Sequence, residues 1–107
     1  MIRTLPELAD ALNSLYPTQY SHFSKKQAPP FICYLEADTE NHYAENAPIA
    51  EIAYVNVELY TKIKDMGAEQ KIKDLLSQNE IPYTKSPTIF IESEGIFQCV
   101  FSIKLLG

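Results

Sequence analysis

The chain reads as an α+β protein with element order α-β-β-α-β-β: a four-stranded, mainly antiparallel sheet with two helices packed on one face. Three observations predict this. Capping residues and apolar stripes mark two helices, near residues 4–15 and 65–79. Two pairs of sequential segments, 30–37 with 50–61 and 88–92 with 96–106, alternate with the period of a strand. A composition of 46% hydrophobic and 21% charged residues is that of a globular chain, not a disordered one. At 107 residues, a single domain spanning 1–107 is expected.

The first helix opens on Thr4 and Glu7, a T-x-x-E capping box. Pro6 falls in the first turn, where its missing N–H costs nothing, and Leu5, Leu8, Leu12 and Leu15 mark one face. Pro17 should end it. Residues 17–30 hold three prolines and read as an irregular connection.

In "PFICYLEA" (30–37), Phe31, Cys33 and Leu35 lie on one side and Ile32, Tyr34 and Glu36 on the other. In "AEIAYVNVELYT" (50–61), Ala53, Val55, Val57 and Leu59 face one way; Ile52, Tyr54, Asn56, Glu58 and Tyr60 face the other. The two segments are sequential, so an antiparallel hairpin is the economical pairing. Its connection is then "EADTENHYAENAP" (36–48), with four carboxylates, one histidine, two asparagines and no basic residue. That is longer than an ordinary hairpin loop. A projecting acidic loop is expected, ordering against a neighbour, with Asn41 and Asn46 bonding to backbone.

Asp65 is the expected N-cap of the second helix, 66–78, whose apolar stripe is Ala68, Ile72, Leu75 and Leu76. Asn79 can take the left-handed conformation that ends it. The last hairpin pairs "TIFIE" (88–92) with "IFQCVFSIKLL" (96–106) across a turn in which Gly95 supplies a positive φ. Cys33 and Cys99 fall on the apolar faces of their strands and are expected inward, as inert buried thiols. The second faces still carry Ile32, Tyr34, Ile52, Tyr54, Tyr60, Ile96 and Val100. If several are adjacent, they exceed what a monomer normally exposes, which predicts a homo-oligomer or a partner there. Tyr54 and Tyr60 are its candidate contact residues.

Chemistry is sparse. The histidines and cysteines are not paired at zinc spacing, and "DTENHYAENAPI" lacks the glycine and closing glutamate of a calcium loop. None of the three glycines stands in a phosphate-binding context. Glu92 and Glu94 read as solvated turn carboxylates. No catalytic residue, metal or cofactor is expected. The net charge of −5 opposes non-specific binding of nucleic acid. It is also uneven: no basic residue lies between Lys26 and Lys62, against six acids. No segment has the length of a membrane span or the pattern of a signal peptide, so a soluble, unexported protein is expected.

Three segments together carry a resemblance: "PPFICYLEADTENHYAEN" (29–46), "VELYTKIKD" (57–65) and "IPYTKSPTIFIESEGIFQCVFSI" (81–103). In order and spacing they resemble the small structural proteins of siphophages and prophages of Gram-positive bacteria, specifically tail-completion or tail-terminator-like components of the head–tail junction. The resemblance implies a non-enzymatic virion protein assembled in the host cytoplasm. It would form a homo-oligomeric ring, commonly a hexamer, at the head-proximal end of the tail tube. Such a ring ends tube polymerisation and docks to the head connector, while DNA passes through the lumen unbound. In the matched N-x-x-A-E-N region it implies interface roles for Asn41, Tyr43, Glu45 and Asn46. "SPTIF" departs from the family pattern, which has a bulkier aromatic before I-E-S-E. Two other readings stay open: a different head–tail adaptor or connector component, and a small cytoplasmic protein-binding module unrelated to virions.

Overall fold

The computed structural model describes the backbone of residues 2–23, 27–44 and 47–106, and their side chains outside 38–44, 47–52 and 106. Helix α1 (Leu5–Asn13) starts where its capping box requires. The Thr4 hydroxyl accepts the Glu7 N–H at 3.3 Å, and Glu7 Oε1 accepts the Thr4 N–H at 3.1 Å. Helix α2 (Met66–Gln78) starts with Asp65 Oδ1 accepting the Ala68 N–H at 3.0 Å. Its end differs from expectation by one residue. Asn79 keeps φ −99°, and Glu80 takes the left-handed turn at φ 55°. The Glu80 N–H then reaches Ser77 O and the Ile81 N–H reaches Leu76 O, the two bonds of a Schellman motif.

The sheet is mixed and six-stranded, not four-stranded. Its strands are β1 (Thr18–Tyr20), β2 (Phe31–Ala44), β3 (Ala47–Thr61), β4 (Tyr83–Lys85), β5 (Ile89–Ile91) and β6 (Ile96–Leu106). The spatial order is β1-β2-β3-β6-β4, with β5 also pairing β6. Only β1 on β2 is parallel; the other pairs are antiparallel. The connection expected to be irregular thus contains a strand. Ile32 N–H to Pro17 O and Ser21 N–H to Tyr34 O, both 2.8 Å, pin it to β2. Strands of three residues are too short to show an alternation, which is why β1 and β4 have no sequence signal.

Core side chains follow the register. Leu59 pairs with Ile32 and Cys99, Val57 with Tyr34 and Phe101, and Val55 with Ile103. This face meets Leu8 and Leu12 of α1 and Ala68, Ile72 and Leu76 of α2 in one buried cluster. Both helices therefore cover the same face of the sheet. The outward set of β3 is as its alternation predicts, but β2 is reversed: Ile32 faces the core, while Cys33 pairs with Glu58 on the other face. "PFICY" is apolar at both parities, so its pattern could not choose a side. Cys33 is nevertheless buried, in a cleft it shares with Ser21, His22, Phe23, Gln27 and Pro29. The two free thiols lie on opposite faces of the sheet and are not neighbours.

The largest departure is the acidic stretch. It is not a loop: β2 continues through it to Ala44 and β3 begins at Ala47, so the strands pair from Phe31↔Tyr60 to Ala44↔Ala47. Register shifts at Glu36/Asp38 and His42/Tyr43 interrupt the ladder without ending it. Low strand propensity of Asp, Asn and Glu concealed this, but backbone pairing does not need apolar side chains.

Candidate protein-interaction surfaces

The long hairpin reaches past the rest of the sheet. The third strand, β6, accompanies β3 only as far as the pair Ile52↔Leu106. Beyond it, Asn41–Ala44 and Ala47–Glu51 pair only with each other among the described residues. On the other edge, β1 meets β2 at residues 32–34 alone. The outer edge of β2 from Leu35 onward therefore has no strand beside it among the described residues. The molecule is correspondingly elongated, 52 × 27 × 23 Å. Two sequence-predicted contact residues have their backbone on this ribbon: Asn41 opposite Glu51 and Tyr43 opposite Pro48. Glu45 and Asn46 lie outside the described residues.

Tyr54 and Tyr60 share the outward face of β3 but are held differently. Tyr54 is opposite Lys104, whose Nζ lies 5.6 Å from its ring centre. Tyr60 stacks on Phe31 at 4.8 Å, and Phe31 in turn meets Phe23 edge-on at 5.4 Å. Tyr60 Oη donates to Glu58 Oε1 at 3.0 Å and accepts from Gln98 Nε2 at 2.8 Å. Burial first, then the Glu58 charge and hydrogen bond, push the phenol well above its usual range. The structure thus uses the Tyr60 hydroxyl to tie β3 to β6.

Tyr60 also walls a cleft of about 720 Å³ between residues 21–23 with Gln27 and Pro29 on one side and the β5–β6 turn on the other, where Cys33, Lys62 and Glu94 also appear. Burial, then Glu58, raises the Cys33 thiol to about 11, so at neutral pH it is protonated and a poor nucleophile. Among the described residues, no group of three His, Cys, Asp or Glu side chains is placed to hold a metal ion. No described helix is long and apolar enough to cross a membrane.

The apolar surface is distributed otherwise than the alternation predicts. With Ile32 and Tyr34 turned inward, the outward face keeps polar links such as Ser102 Oγ to Asn56 Oδ1 at 3.1 Å. Among the described residues, the most exposed large apolar side chains are Ile63 (66%) and Met66 (74%) at the β3–α2 turn, then Ile89 and Phe90 on β5. A buried polar cluster also escaped sequence reasoning. Glu69, 8% exposed, pairs with Lys85 at 3.4 Å and accepts the Thr88 hydroxyl at 2.8 Å. Its only signal is position: Glu69 flanks the stripe Ala68-Ile72-Leu76.

No protein-family model matches the chain, and no curated protein matches it in sequence.

Proposed function

We propose that this chain is a non-enzymatic structural subunit of a tailed phage or prophage. It assembles as a ring on the head-proximal end of the tail tube, ends tube polymerisation and docks to the head connector. The observation that carries this reading is the projecting β2–β3 ribbon. A two-stranded hairpin is at best marginally stable alone in water, and an open strand edge is a template for another chain. Such a ribbon gains most of its order from a neighbour, as a ring subunit provides.

Of the segments that resemble tail-terminator-like proteins, the first holds the β2 half of this ribbon, while its β3 half, Ala47–Glu51, lies outside all three. "PPFICYLEADTENHYAEN" contains all of β2, "VELYTKIKD" closes β3 and caps α2, and the third segment runs from β4 through most of β6. Asn41, Tyr43, Glu45 and Asn46 are assigned to the contact with the adjoining subunit or tube, and Tyr54 to the outer sheet surface.

Negative-stain microscopy of purified protein with and without tail tubes tests the reading. Rings, or caps at one end of tubes of uniform length, are the expected result. Tubes of uncontrolled length with bare ends in the presence of the protein would overturn it.

A further inference from the structure

We infer that copies of this chain join head to tail, the acidic β2–β3 ribbon of one copy seating against the lysine-bearing β3–α2 turn of the next. The closure of such contacts into a ring rests on the function proposed above; the contact itself does not. Strand β3 runs the length of the molecule, about 45 Å at 3.3 Å per residue, close to the 52 Å long axis. Its two ends differ in charge. Residues 36–51 carry Glu36, Asp38, Glu40, Glu45 and Glu51 and no basic residue. Just past the other end, Lys62 and Lys64 are exposed on either side of Ile63, with Met66 next and Lys71 and Lys73 on α2.

Acids stand at that second pole as well: Asp65 and Asp74 beside the lysines, and Glu92 and Glu94 on the β5–β6 turn. Asp65 is engaged as the α2 cap, and Asp74 accepts from Gln70 at 2.8 Å. Glu94 shares the cleft with Lys62, which leaves Lys64 as the less compensated of the two. Among the described residues neither Lys62 nor Lys64 makes an ion pair. Ile63 and Met66 supply what a stable contact needs between its charges, an apolar centre that water leaves on association. The ribbon carries apolar residues of its own, Tyr43, Pro48, Ile49 and Ile52.

This polarity selects the mode of assembly. Two ribbons meeting each other would oppose like charges, and so would two lysine poles. Only unlike ends attract, so the contact is heterologous and repeats from copy to copy. A second copy of the chain is the occupant the charges point to, because each copy carries both complementary poles in fixed geometry.

Two double variants test this by sedimentation velocity: Lys62→Glu with Lys64→Glu, and Glu40→Lys with Glu51→Lys, with circular dichroism melts to establish folding. The wild type should self-associate, with affinity falling on the order of tenfold between low and high salt. Each variant alone should be monomeric, since the first makes both ends acidic and the second cuts the ribbon's net charge from −5 to −1, too little to hold the basic pole. An equimolar mixture should associate again, because the acidic ribbon of one variant faces the basic pole of the other. A wild type that stays monomeric throughout would overturn the contact. So would folded variants that associate like wild type, or a mixture that stays dissociated. If the variants assemble as rings undisturbed by charge reversal, the ring reading survives and this contact fails. If the mixture is rescued but wild type grows only open filaments, the contact stands and the ring fails.

Discussion

Gln98 Nε2 donates a 2.8 Å hydrogen bond to Tyr60 Oη, joining two central strands across 38 residues of sequence. The same hydroxyl donates to Glu58, so replacing Tyr60 by Phe removes both bonds while keeping the stack on Phe31. The expected loss is about 1 kcal/mol, read as a lower urea midpoint with unchanged slope. The pH dependence has a definite sign. Folding raises this phenol above its ordinary value of 10.0, so its contribution is complete below that pH and is lost as pH rises beyond it. Tyr60→Phe should therefore flatten the alkaline fall in stability above pH 10.0.

The two thiols give a second alkaline signature at lower pH. Burial first, then Glu58 for Cys33 and Glu69 for Cys99, raises each from 9.0 to about 11. The protonated thiols favour the folded state below pH 9.0, and that advantage is lost as pH climbs toward about 11. The Cys33→Ala, Cys99→Ala double variant should lose less stability than wild type across this interval in urea titrations. A thiol reagent at pH 8 should label the native protein much more slowly than the unfolded one.

Glu80 sits at φ 55°, a left-handed conformation that side chains other than glycine adopt at a cost. Glu80→Gly should stabilise the protein by about 0.5 kcal/mol, the relief being partly offset by the greater freedom of an unfolded glycine. A rise in melting temperature checks it; a fall would mean that Glu80 makes a contact worth more than its strain.

The Glu69–Lys85 pair anchors α2 to the end of β4. Glu69→Ala should cost about 1–2 kcal/mol, because it leaves the Lys85 ammonium and the Thr88 hydroxyl short of a partner. Lys85 remains 21% exposed, which keeps the figure below that of a fully buried pair. In a double-mutant cycle with Lys85→Met, the combined loss should be smaller than the sum of the single losses.

The ribbon can be cut at a pair that keeps its register. Replacing residues 41–51 by Asn-Gly places a two-residue turn directly between the partners Glu40 and Ile52. The core strands and both helices are untouched, so the melting temperature should change little. Self-association and tube capping should both disappear. A shortened protein that still capped tubes would show that the ribbon is dispensable for assembly.

Both helix starts were legible to the residue, because Thr4 and Asp65 act locally; α1, however, ends at Asn13, short of Leu15, which its stripe includes. Gly95 was equally plain, its φ of 66° being what a tight turn asks of glycine. What could not be read depended on partners distant in sequence. Ile32 and Cys33 are both apolar, and only pairing with Leu59 and Glu58 decides which turns inward. Strands β1 and β4 exist because β2 and β6 offer them an edge. The acidic stretch misled for a related reason: carboxylates and asparagines suggest a loop, yet backbone pairing with β3 continues through them across the register shift between Glu36 and Asp38. Of the proposed contact residues, Tyr54 and Tyr60 were visible as outward aromatics, but nothing local announced that Tyr60 is tethered to Gln98.

Strand β3 is a single uninterrupted run from Ala47 to Thr61, and both proposed contact poles hang from it. It therefore works as a ruler. Adding two residues to it, matched on β2, would move the poles about 7 Å further apart while leaving every side chain on its own side. Adding one would turn the core residues beyond the insertion outward. On the head-to-tail contact proposed above, length variants should accordingly differ by even steps, each changing the separation of the two poles while sparing the fold.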